Sequence, residues 1–432
     1  MSASTSSTAA TPTTPTDAAP GTSHAGAGVV DQAAALGRLM RFLQVEGITG
    51  QEAAIAQTIR ASLLEAGVPT EAIRFDTAHT RIPVPTQTGN LLVHLPGTAP
   101  GPHRLFSTHM DTVPLCAGAK PVVRDGRIIA DSPTALGGDN RTGCAVLVTL
   151  AATLIARRLP HPPITLLFTV REESGLYGAR HLTLDELNAG AATPIREGYN
   201  VDGKRATDLT IAAVGAERWE VEIFGKAAHA GVAPEEGISA TLIFALALAE
   251  VHAKGWFGKV RVTTADGQLI EGTSNVGVVA GRDGRAAGDA TNVVTDYVFV
   301  RGESRSHDPR SAHAITSGYE SAFAHALAAV TDHTGAVGRV DFRWNLDYHP
   351  FALDPNLPVV RRAMRAVKTL GLTANLKHAN GGLDANWLVR HGINSVTFGA
   401  GQYNIHTIDE YVDLNEFATG CELAVLLATM PE

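Results

Sequence analysis

The sequence is short of several features that mark particular classes of protein. It has three cysteines in 432 residues, widely spaced and odd in number, which excludes a disulfide framework and fits a reducing cytoplasm. No stretch approaches the ~20 uninterrupted apolar residues of a membrane span. Basic residues number 35 against 43 acidic ones, and the formal charge of -8 argues against nucleic acid or an anionic membrane as the main partner.

The first 29 residues also lack charge and apolar mass, since they consist largely of Ser, Thr, Ala, Pro and Gly. Without a basic start or a continuous apolar run they are neither a signal peptide nor a membrane anchor. They are predicted to be a disordered tail because they cannot contribute to a packed core. The remaining chain is long enough for two domains.

Residues 30–213 follow an α/β pattern. The wholly apolar run at 164–170 is typical of a central buried strand. Further strands are predicted at 71–77, 90–95 and 103–108, and helices at 36–43, 51–66 and 140–158. Ligands of such sheets bind beyond the carboxyl ends of the strands.

The pattern changes over residues 214–349 and returns to α/β over 350–432, where an apolar strand at 395–398 precedes a last helix at 415–429. The middle segment has the order β-α-β-β-α-β, which suits a small antiparallel sheet with two helices on one face. Its predicted strands and helices are at 218–224, 237–253, 274–280, 293–303, 312–333 and 339–345. We therefore predict one domain inserted into another.

Five short stretches carry acids and histidines, several of them directly after a predicted strand. They are Ser-Thr-His109-Met-Asp111, Gly-Gly-Asp139-Asn-Arg-Thr-Gly, Arg-Glu172-Glu173-Ser-Gly, Asn-Val-Asp202-Gly and Asn-Ile-His406-Thr. Two zinc-type ions that share a carboxylate need two histidines and three carboxylates. The remaining glutamate, Glu172, suits a base that activates water.

Each residue taken alone also has an ordinary structural interpretation. Asp139 could cap a helix, Asp202 could belong to an Asp-Gly turn, and a single late histidine such as His406 is usually structural. The two-residue spacing of His109 and Asp111 would let the carboxylate reach the imidazole nitrogen that does not bind metal. Only when the five stretches are taken together do they indicate a metal site.

As a set, in order and in context, they resemble the di-zinc exopeptidase and amidohydrolase family that contains peptidase T, the glutamate-releasing carboxypeptidases and the aminoacylases. The resemblance extends from about Val30 to Met430, and Gly381-Gly-Leu-Asp384-Ala-Asn and His406-Thr-Ile-Asp-Glu-Tyr are most similar to the peptidase T-like branch. It implies a catalytic domain with a mixed, mostly parallel sheet flanked by helices, and an inserted α+β (βαββαβ) lid and dimerisation domain.

The resemblance also implies a role for each metal ligand. Asp139 would bridge two metal ions, His109 and Asp202 would complete one site, and Glu173 and His406 would complete the other. Zinc is expected, although the same ligands accept Co²⁺ or Mn²⁺.

Around the metals, the resemblance implies Glu172 as general base and acid and Asp111 as the residue that orients His109. His229, in Gly-Lys-Ala-Ala-His-Ala-Gly, matches a lid histidine that stabilises the tetrahedral oxyanion, in many relatives across a dimer interface. Asn292 and Arg305 match lid positions that hold the substrate backbone or carboxylate, and arginine suits bidentate carboxylate binding. A surface salt bridge is the alternative for Arg305.

The implied function is that of a zinc-dependent metallopeptidase, a peptidase T-like aminopeptidase or tripeptidase acting on short peptides as a homodimer. An N-acyl amino acid amidohydrolase or a carboxypeptidase would use the same metals, so the sequence leaves these alternatives open. A binding protein on an inactive hydrolase fold is disfavoured because all five ligands and the base are present. Two departures, Arg141 in place of a lysine and a long lid loop at 263–272, are expected to alter substrate choice.

Overall fold

The computed structural model describes residues 28–191, 193–288 and 290–431. Apart from residues 28 and 29, the predicted disordered tail therefore lies outside the described residues. The described chain contains sheets of nine, five and four strands.

The helices of the described residues are α1 (Gln32–Leu43), α2 (Ala53–Glu65), α3 (Gly138–Arg157), α4 (Tyr177–Arg180), α5 (Leu184–Asn188), α6 (Ala240–Ala253), α7 (Pro309–Ala329), α8 (Pro358–Thr369), α9 (Asp384–Arg390) and α10 (Leu414–Thr429). The strands of the first α/β region are β1 (Ile73–Phe75), β2 (Leu91–Leu95), β3 (Arg104–His109), β4 (Pro121–Arg124), β5 (Arg127–Ala130), β6 (Ile164–Thr169), β7 (Glu197–Val201) and β8 (Asp208–Ala213). The later strands are β9 (Gly215–Phe224), β10 (Gly258–Thr263), β11 (Leu269–Ala280), β12 (Tyr297–Ser306), β13 (Arg339–Tyr348), β14 (Phe351–Ala352), β15 (Asn375–Ala379), β16 (Asn394–Phe398), β17 (Gln402–Tyr403) and β18 (Tyr411–Asp413).

The nine-stranded sheet has the order β1-β2-β6-β3-β7-β16-β8-β14, and β15 also pairs with β8. Its centre, β6-β3-β7-β16, is parallel, whereas β1, β2 and β14 pair in antiparallel fashion. The predicted mixed sheet is confirmed, and its parallel pairs concentrate where the metal-ligand stretches leave the strands.

Alternate residues of the central strands pack into two separate hydrophobic cores, one on each face of the sheet. On β6, Leu166 and Phe168 join the large core beneath α1, α2, α3 and α10, whereas Leu167 meets Leu105 of β3 on the opposite face. Because successive side chains of a strand point to opposite faces, a strand covered on both sides buries all its side chains and is therefore mostly apolar. This explains why every residue of β6 is buried, as its sequence predicts.

The five-stranded sheet is antiparallel, has the order β10-β11-β12-β9-β13 and packs against α6 and α7. The predicted order of this region was one strand short, because the observed order is β-α-β-β-β-α-β. The segment predicted as a long loop at 263–272 consists of the end of β10, a hairpin turn at 264–268 and the start of β11. In β10 only Val260 is buried, so this edge strand gives a weak alternating pattern.

Several other boundaries in this region differ from prediction, and two of the differences have a visible cause. Helix α7 begins at Pro309 rather than 312, because the side chain of Asp308 accepts the Arg310 N–H and caps its start. Strand β12 begins at Tyr297 rather than 293, because Val293 forms an isolated bridge with His229 instead.

The small four-stranded sheet has the order β17-β18-β5-β4. The connection between β17 and β18 carries His406, and β18 is followed directly by α10. The three cysteines are free and buried, as expected for small apolar side chains. Among the described residues, no helix is both long and apolar enough to cross a membrane.

Candidate active site

The predicted metal ligands gather at the carboxyl end of the parallel strands. His109 is the last residue of β3, Glu173 lies four residues after the end of β6, and Asp202 directly follows β7. Asp139 lies at the start of α3, and His406 lies in the connection between β17 and β18. Since the carboxyl ends of parallel strands meet at one edge of a sheet, distant stretches of sequence converge there.

One group of possible ligand atoms comes from His109, Asp139 and Asp202, and these atoms all lie within 4.8 Å of one another. The Nε2 atom of His109 is 3.0 Å from Oδ1 of Asp139. Both residues are almost completely buried. One imidazole and two carboxylates at this separation match the ligand requirements of a divalent cation.

A second group comes from Asp139, Glu173 and His406 and meets the same limit of 4.8 Å. The Nε2 atom of His406 lies 3.0 Å from the Glu173 carboxylate and 3.3 Å from Oδ2 of Asp139. The His406 backbone has a φ of 63°, a left-handed conformation that is uncommon outside glycine and is found at functional sites. Asp139 offers one oxygen to each histidine and so joins the two groups.

Glu172 faces the same cluster, since it forms a third group with His109 and Glu173. Burial raises the pKa of Glu172 well above its usual range; His109 opposes this increase, and the neighbouring Asp202 and Glu173 add to it. A carboxyl group that readily holds a proton beside metal ligands has the property required of a general base that also acts as an acid.

The cluster concentrates negative charge in a buried place. Burial, followed by repulsion from Asp139, raises the pKa of Asp202 to about 8. Hydrogen bonds to Asp139 and Glu173 raise the pKa of His406 to about 10. Buried carboxylates crowded in this way are unfavourable unless cations neutralise them. Protons on the histidines or divalent metal ions can do so, and the ligand types fit both proposed metal positions.

Asp111 contacts His109, as predicted, and it also accepts two backbone N–H groups, which the sequence did not suggest. The Nδ1 atom of His109 is 3.1 Å from the backbone oxygen of Asp111 and 3.4 Å from its Oδ1. The two carboxylate oxygens of Asp111 accept the backbone N–H groups of Glu172 at 3.0 Å and Glu173 at 3.1 Å. Asp111 thus contacts the predicted metal ligand His109 and fixes the backbone of the predicted base Glu172.

Glu52 holds one further backbone amide beside the two that Asp111 accepts, a role that the sequence did not predict. Its Oε1 accepts the N–H of Arg171 at 3.1 Å and the N–H of Gly50 at 2.7 Å. Three successive amides, of residues 171, 172 and 173, are therefore held by the buried carboxylates of Glu52 and Asp111. Burial and the nearby Asp111 raise the pKa of Glu52 to about 7.

Two further residues, to which the sequence analysis gave no chemical role, hold Asp139 by its backbone and by its side chain. Glu410 accepts the N–H groups of Gly137 at 2.8 Å and Asp139 at 3.0 Å. The Nε2 atom of Gln402 donates to Asp139 at 3.2 Å and to Asp202 at 3.0 Å. The only available signal for Glu410 was its place in the peptidase T-like ending, which carried no chemical role.

The predicted lid residues are placed differently. His229 and Asn292 are both exposed. They also lie close together, because His229 forms an isolated β-bridge with Val293 and the Ala230 N–H donates to the Asn292 carbonyl oxygen at 2.8 Å. Among the described residues, no hydrogen bond or ion pair joins either side chain to the metal-ligand cluster, which we define as His109, Asp139, Glu173, Asp202 and His406. We refer to His229 and Asn292 as the lid pair.

Arg305 is partly buried, and its guanidinium pairs with Glu303 through Nε–Oε1 and Nη2–Oε2 distances of 2.8 and 2.9 Å. The salt bridge considered from the sequence is therefore present. Arg305 also lines a cleft of about 590 Å³ between the β10–β11 hairpin and Asn380. The hairpin that replaces the predicted lid loop thus borders a space large enough for part of a peptide.

Arg141 does not face this space. Its buried guanidinium donates to the backbone oxygens of Met110, Val45 and Gly47. A direct effect of Arg141 on substrate choice, as expected from the sequence, has no support in this position. The side chain instead holds the backbone between His109 and Asp111.

Comparison with known proteins identifies the family. Residues 105–430 match the model of peptidase family M20/M25/M40. The uncharacterized protein YqjE of Bacillus subtilis is 30% identical over 402 residues, which cover 92% of this chain and 98% of that protein.

The chain belongs to peptidase family M20/M25/M40.

Within peptidase family M20/M25/M40, several relatives bear the name predicted from the sequence. Peptidase T of Escherichia fergusonii is 24% identical, over 80% of this chain and 86% of that protein. Aminopeptidase PepT from Bacillus cereus is 31% identical and superimposes with a TM-score of 0.76, covering 93% of this chain and 99% of that one. A tripeptidase from Staphylococcus aureus is 28% identical with a TM-score of 0.78 and the same coverage. The predicted peptidase T-like metallopeptidase is confirmed.

Proposed function

We propose that this member of peptidase family M20/M25/M40 is an aminopeptidase that removes the N-terminal residue of short peptides such as tripeptides. The observation that carries the proposal is the meeting of two ligand groups at Asp139. The names of the similar solved structures, an aminopeptidase and a tripeptidase, support the choice of a free N-terminus and a short substrate.

The proposed cofactors are two divalent ions, with zinc as the first choice. His109, Asp139 and Asp202 would hold one ion, and Asp139, Glu173 and His406 would hold the other. When bound, such ions polarise a carbonyl group and lower the pKa of a water molecule towards ~7. Co²⁺ and Mn²⁺ suit the same imidazole and carboxylate ligands.

The base in this proposal is Glu172. It takes a proton from the attacking water and gives that proton to the amine that leaves when the peptide bond breaks. The backbone of Glu172 is fixed by Asp111, which also contacts His109, so the base and a metal ligand keep one relative orientation. The partly buried position of Glu172 would limit exchange of that proton with bulk water.

We assign substrate binding and oxyanion stabilisation to residues 214–349, as the lid and dimerisation domain, and the metal site to 30–213 and 350–432. His229 would donate to the carbonyl oxygen as charge develops there. Asn292 and Arg305 would hold the peptide backbone and its carboxylate. Because no hydrogen bond or ion pair joins the lid pair to the cluster within the described chain, we propose that it acts from the second subunit of a homodimer.

A substrate panel tests the activity. Tripeptides with a free amine, N-terminally blocked dipeptides and N-acetyl amino acids would be compared, each with and without EDTA. We expect EDTA-sensitive release of the N-terminal residue from the tripeptides, and elemental analysis should find two metal ions per chain. Preferential cleavage of the N-acetyl amino acids or the blocked dipeptides would instead favour the acylase or carboxypeptidase alternative.

A further inference from the structure

The chain passes between the nine-stranded and five-stranded sheets at two places. Val214 connects β8 to β9, and His349 and Pro350 connect β13 to β14. We call these residues the two crossings. They lie side by side, because β14 pairs with β8 through Phe351 and Ala213, and a Cβ on Gly215 would lie 2.4 Å from Cδ of Pro350. Any rotation of one sheet against the other must be accommodated at the crossings.

One buried side chain binds both crossings. The Nδ2 atom of Asn386 donates to the backbone oxygen of Val214 at 2.9 Å and to that of His349 at 2.8 Å. Its Oδ1 accepts the N–H of Leu383 at 2.9 Å. An amide nitrogen has two protons, so both are used, one on each crossing. Asn386 is only 2% exposed, and its partners are backbone atoms that cannot move aside as a surface side chain could.

The same turn of chain is also attached to the catalytic strands. Asp384, which is 0% exposed, accepts a hydrogen bond from the hydroxyl of Thr169. Thr169 ends β6 and lies opposite His109 in the parallel pairing of β6 with β3. Its carbonyl accepts the Met110 N–H at 2.8 Å. Residues 383–386 therefore link the crossings to the strand ends that carry the metal-ligand cluster.

We propose that Asn386 is a positioning residue that fixes the orientation of the lid relative to the metal-ligand cluster by clamping both crossings. Asp384 anchors this clamp to β6. The proposal depends on the lid function assigned above, because a clamp affects turnover only if the lid residues must meet the cluster. It assigns to the Gly381-Gly-Leu-Asp-Ala-Asn stretch, which served above only as a mark of resemblance, a mechanical role between the two sheets.

The test measures lid orientation directly. Spin labels would be placed on cysteines introduced at two exposed positions, Glu320 of α7 in the lid and Lys368 of α8, and the labelled protein would be mixed with an excess of unlabelled protein. The native cysteines are buried, so they contribute little background labelling. Pulsed electron resonance then gives the distribution of distances between the labels.

Two variants and one control complete the design. Asn386→Asp keeps the acceptor for Leu383 and loses both donors, and Asn386→Ala removes all three bonds. Asn375→Ala is the control, since Asn375 donates to Asp208 at 3.1 Å and contacts neither crossing. We expect both Asn386 variants to broaden the distance distribution and to lower kcat/KM about tenfold, the effect of losing one to two hydrogen bonds. Metal content should stay at the wild-type level.

An unchanged distance distribution in Asn386→Asp would overturn the proposal, even if the melting temperature falls, because Asn386 would then only stabilise the fold. Loss of bound metal without a change in the distances would also overturn it. Failure of the proposed function is a separate result, since it would appear as absent peptide hydrolysis in the wild-type protein while the distance measurement still reports on the clamp.

Discussion

The metal-ligand cluster and the lid pair differ in how far the chain fixes them in place. The cluster is surrounded by buried hydrogen bonds, and Asp111, Glu52 and Glu410 together hold six backbone N–H groups in and around it. His229 and Asn292 are exposed, and among the residues that the structure describes no hydrogen bond or ion pair joins them to the cluster. All five predicted metal ligands meet within one chain, whereas the proposed role of the lid pair requires that it be brought to them.

The largest expected effect is on turnover, and it concerns the base beside the metal-ligand cluster. Glu172→Gln keeps the size of the side chain but removes its basicity, so we expect kcat to fall by about 10² to 10⁴-fold. Bound metal, measured by elemental analysis, should be retained. Glu65→Gln is a matched control, because Glu65 is exposed and its one ion pair within the described part of the chain is with Arg41. Near-normal turnover of the Glu172 variant would remove the base from the mechanism.

The next effect tests whether the lid pair comes from another subunit. We expect His229→Ala to lower kcat by about 10² to 10³-fold, the usual cost of losing one oxyanion donor. Co-refolding it with Glu172→Gln should restore up to about a quarter of the wild-type activity, because mixed dimers contain one site with both intact residues. If the mixture stays inactive while dimers form, the lid histidine acts within its own chain.

A smaller effect is expected from the buried acceptors around the cluster. Because burial raises the pKa of Glu52 from 4.5 to about 7, the folded protein holds a proton that the unfolded chain has lost. This contribution to stability is fully present below pH 4.5 and disappears as the pH rises through about 7.

The free energy of unfolding of the metal-free protein should therefore fall between about pH 4.5 and pH 7, by at most about 1.4 kcal/mol per pH unit from this group. Denaturant unfolding at several pH values should show a shallower dependence for Glu52→Gln. Parallel curves for the two proteins would mean that Glu52 is ionised in the folded state, and the contrast between buried acceptors and exposed lid residues would be weaker.

The smallest effect belongs to the exposed lid. Asn292→Ala should raise KM by roughly 2- to 10-fold, the effect of one lost hydrogen bond to substrate, with little change in the free energy of unfolding. Asn356→Ala, an exposed residue outside the five-stranded sheet, serves as the control. A large loss of stability in the Asn292 variant would show that this residue is part of the fold rather than of a substrate-facing surface.

The sequence predicted the parts of this site whose chemistry is visible in the residue type. Histidines and carboxylates at strand ends, such as His109 and Asp202, predict a metal site, because few other kinds of site need both residue types at the same edge of a sheet. It did not predict Glu52 or Gln402, because their role depends on which backbone amide or carboxylate lies opposite in space. The edge strand β10 was missed for a related reason, since one buried residue leaves too little pattern to distinguish a strand from a loop.

The side-by-side arrangement of Val214 and His349 has a consequence for how such an enzyme can change. A polypeptide that leaves and re-enters one body at neighbouring points can be shortened there, and a brief loop from Ala213 to Phe351 would span the paired ends of β8 and β14. The remaining body would keep every ligand of the proposed metal pair. A truncated protein built on this join would therefore be a minimal metal-binding scaffold, to which other substrate-recognition units could be grafted at the same junction.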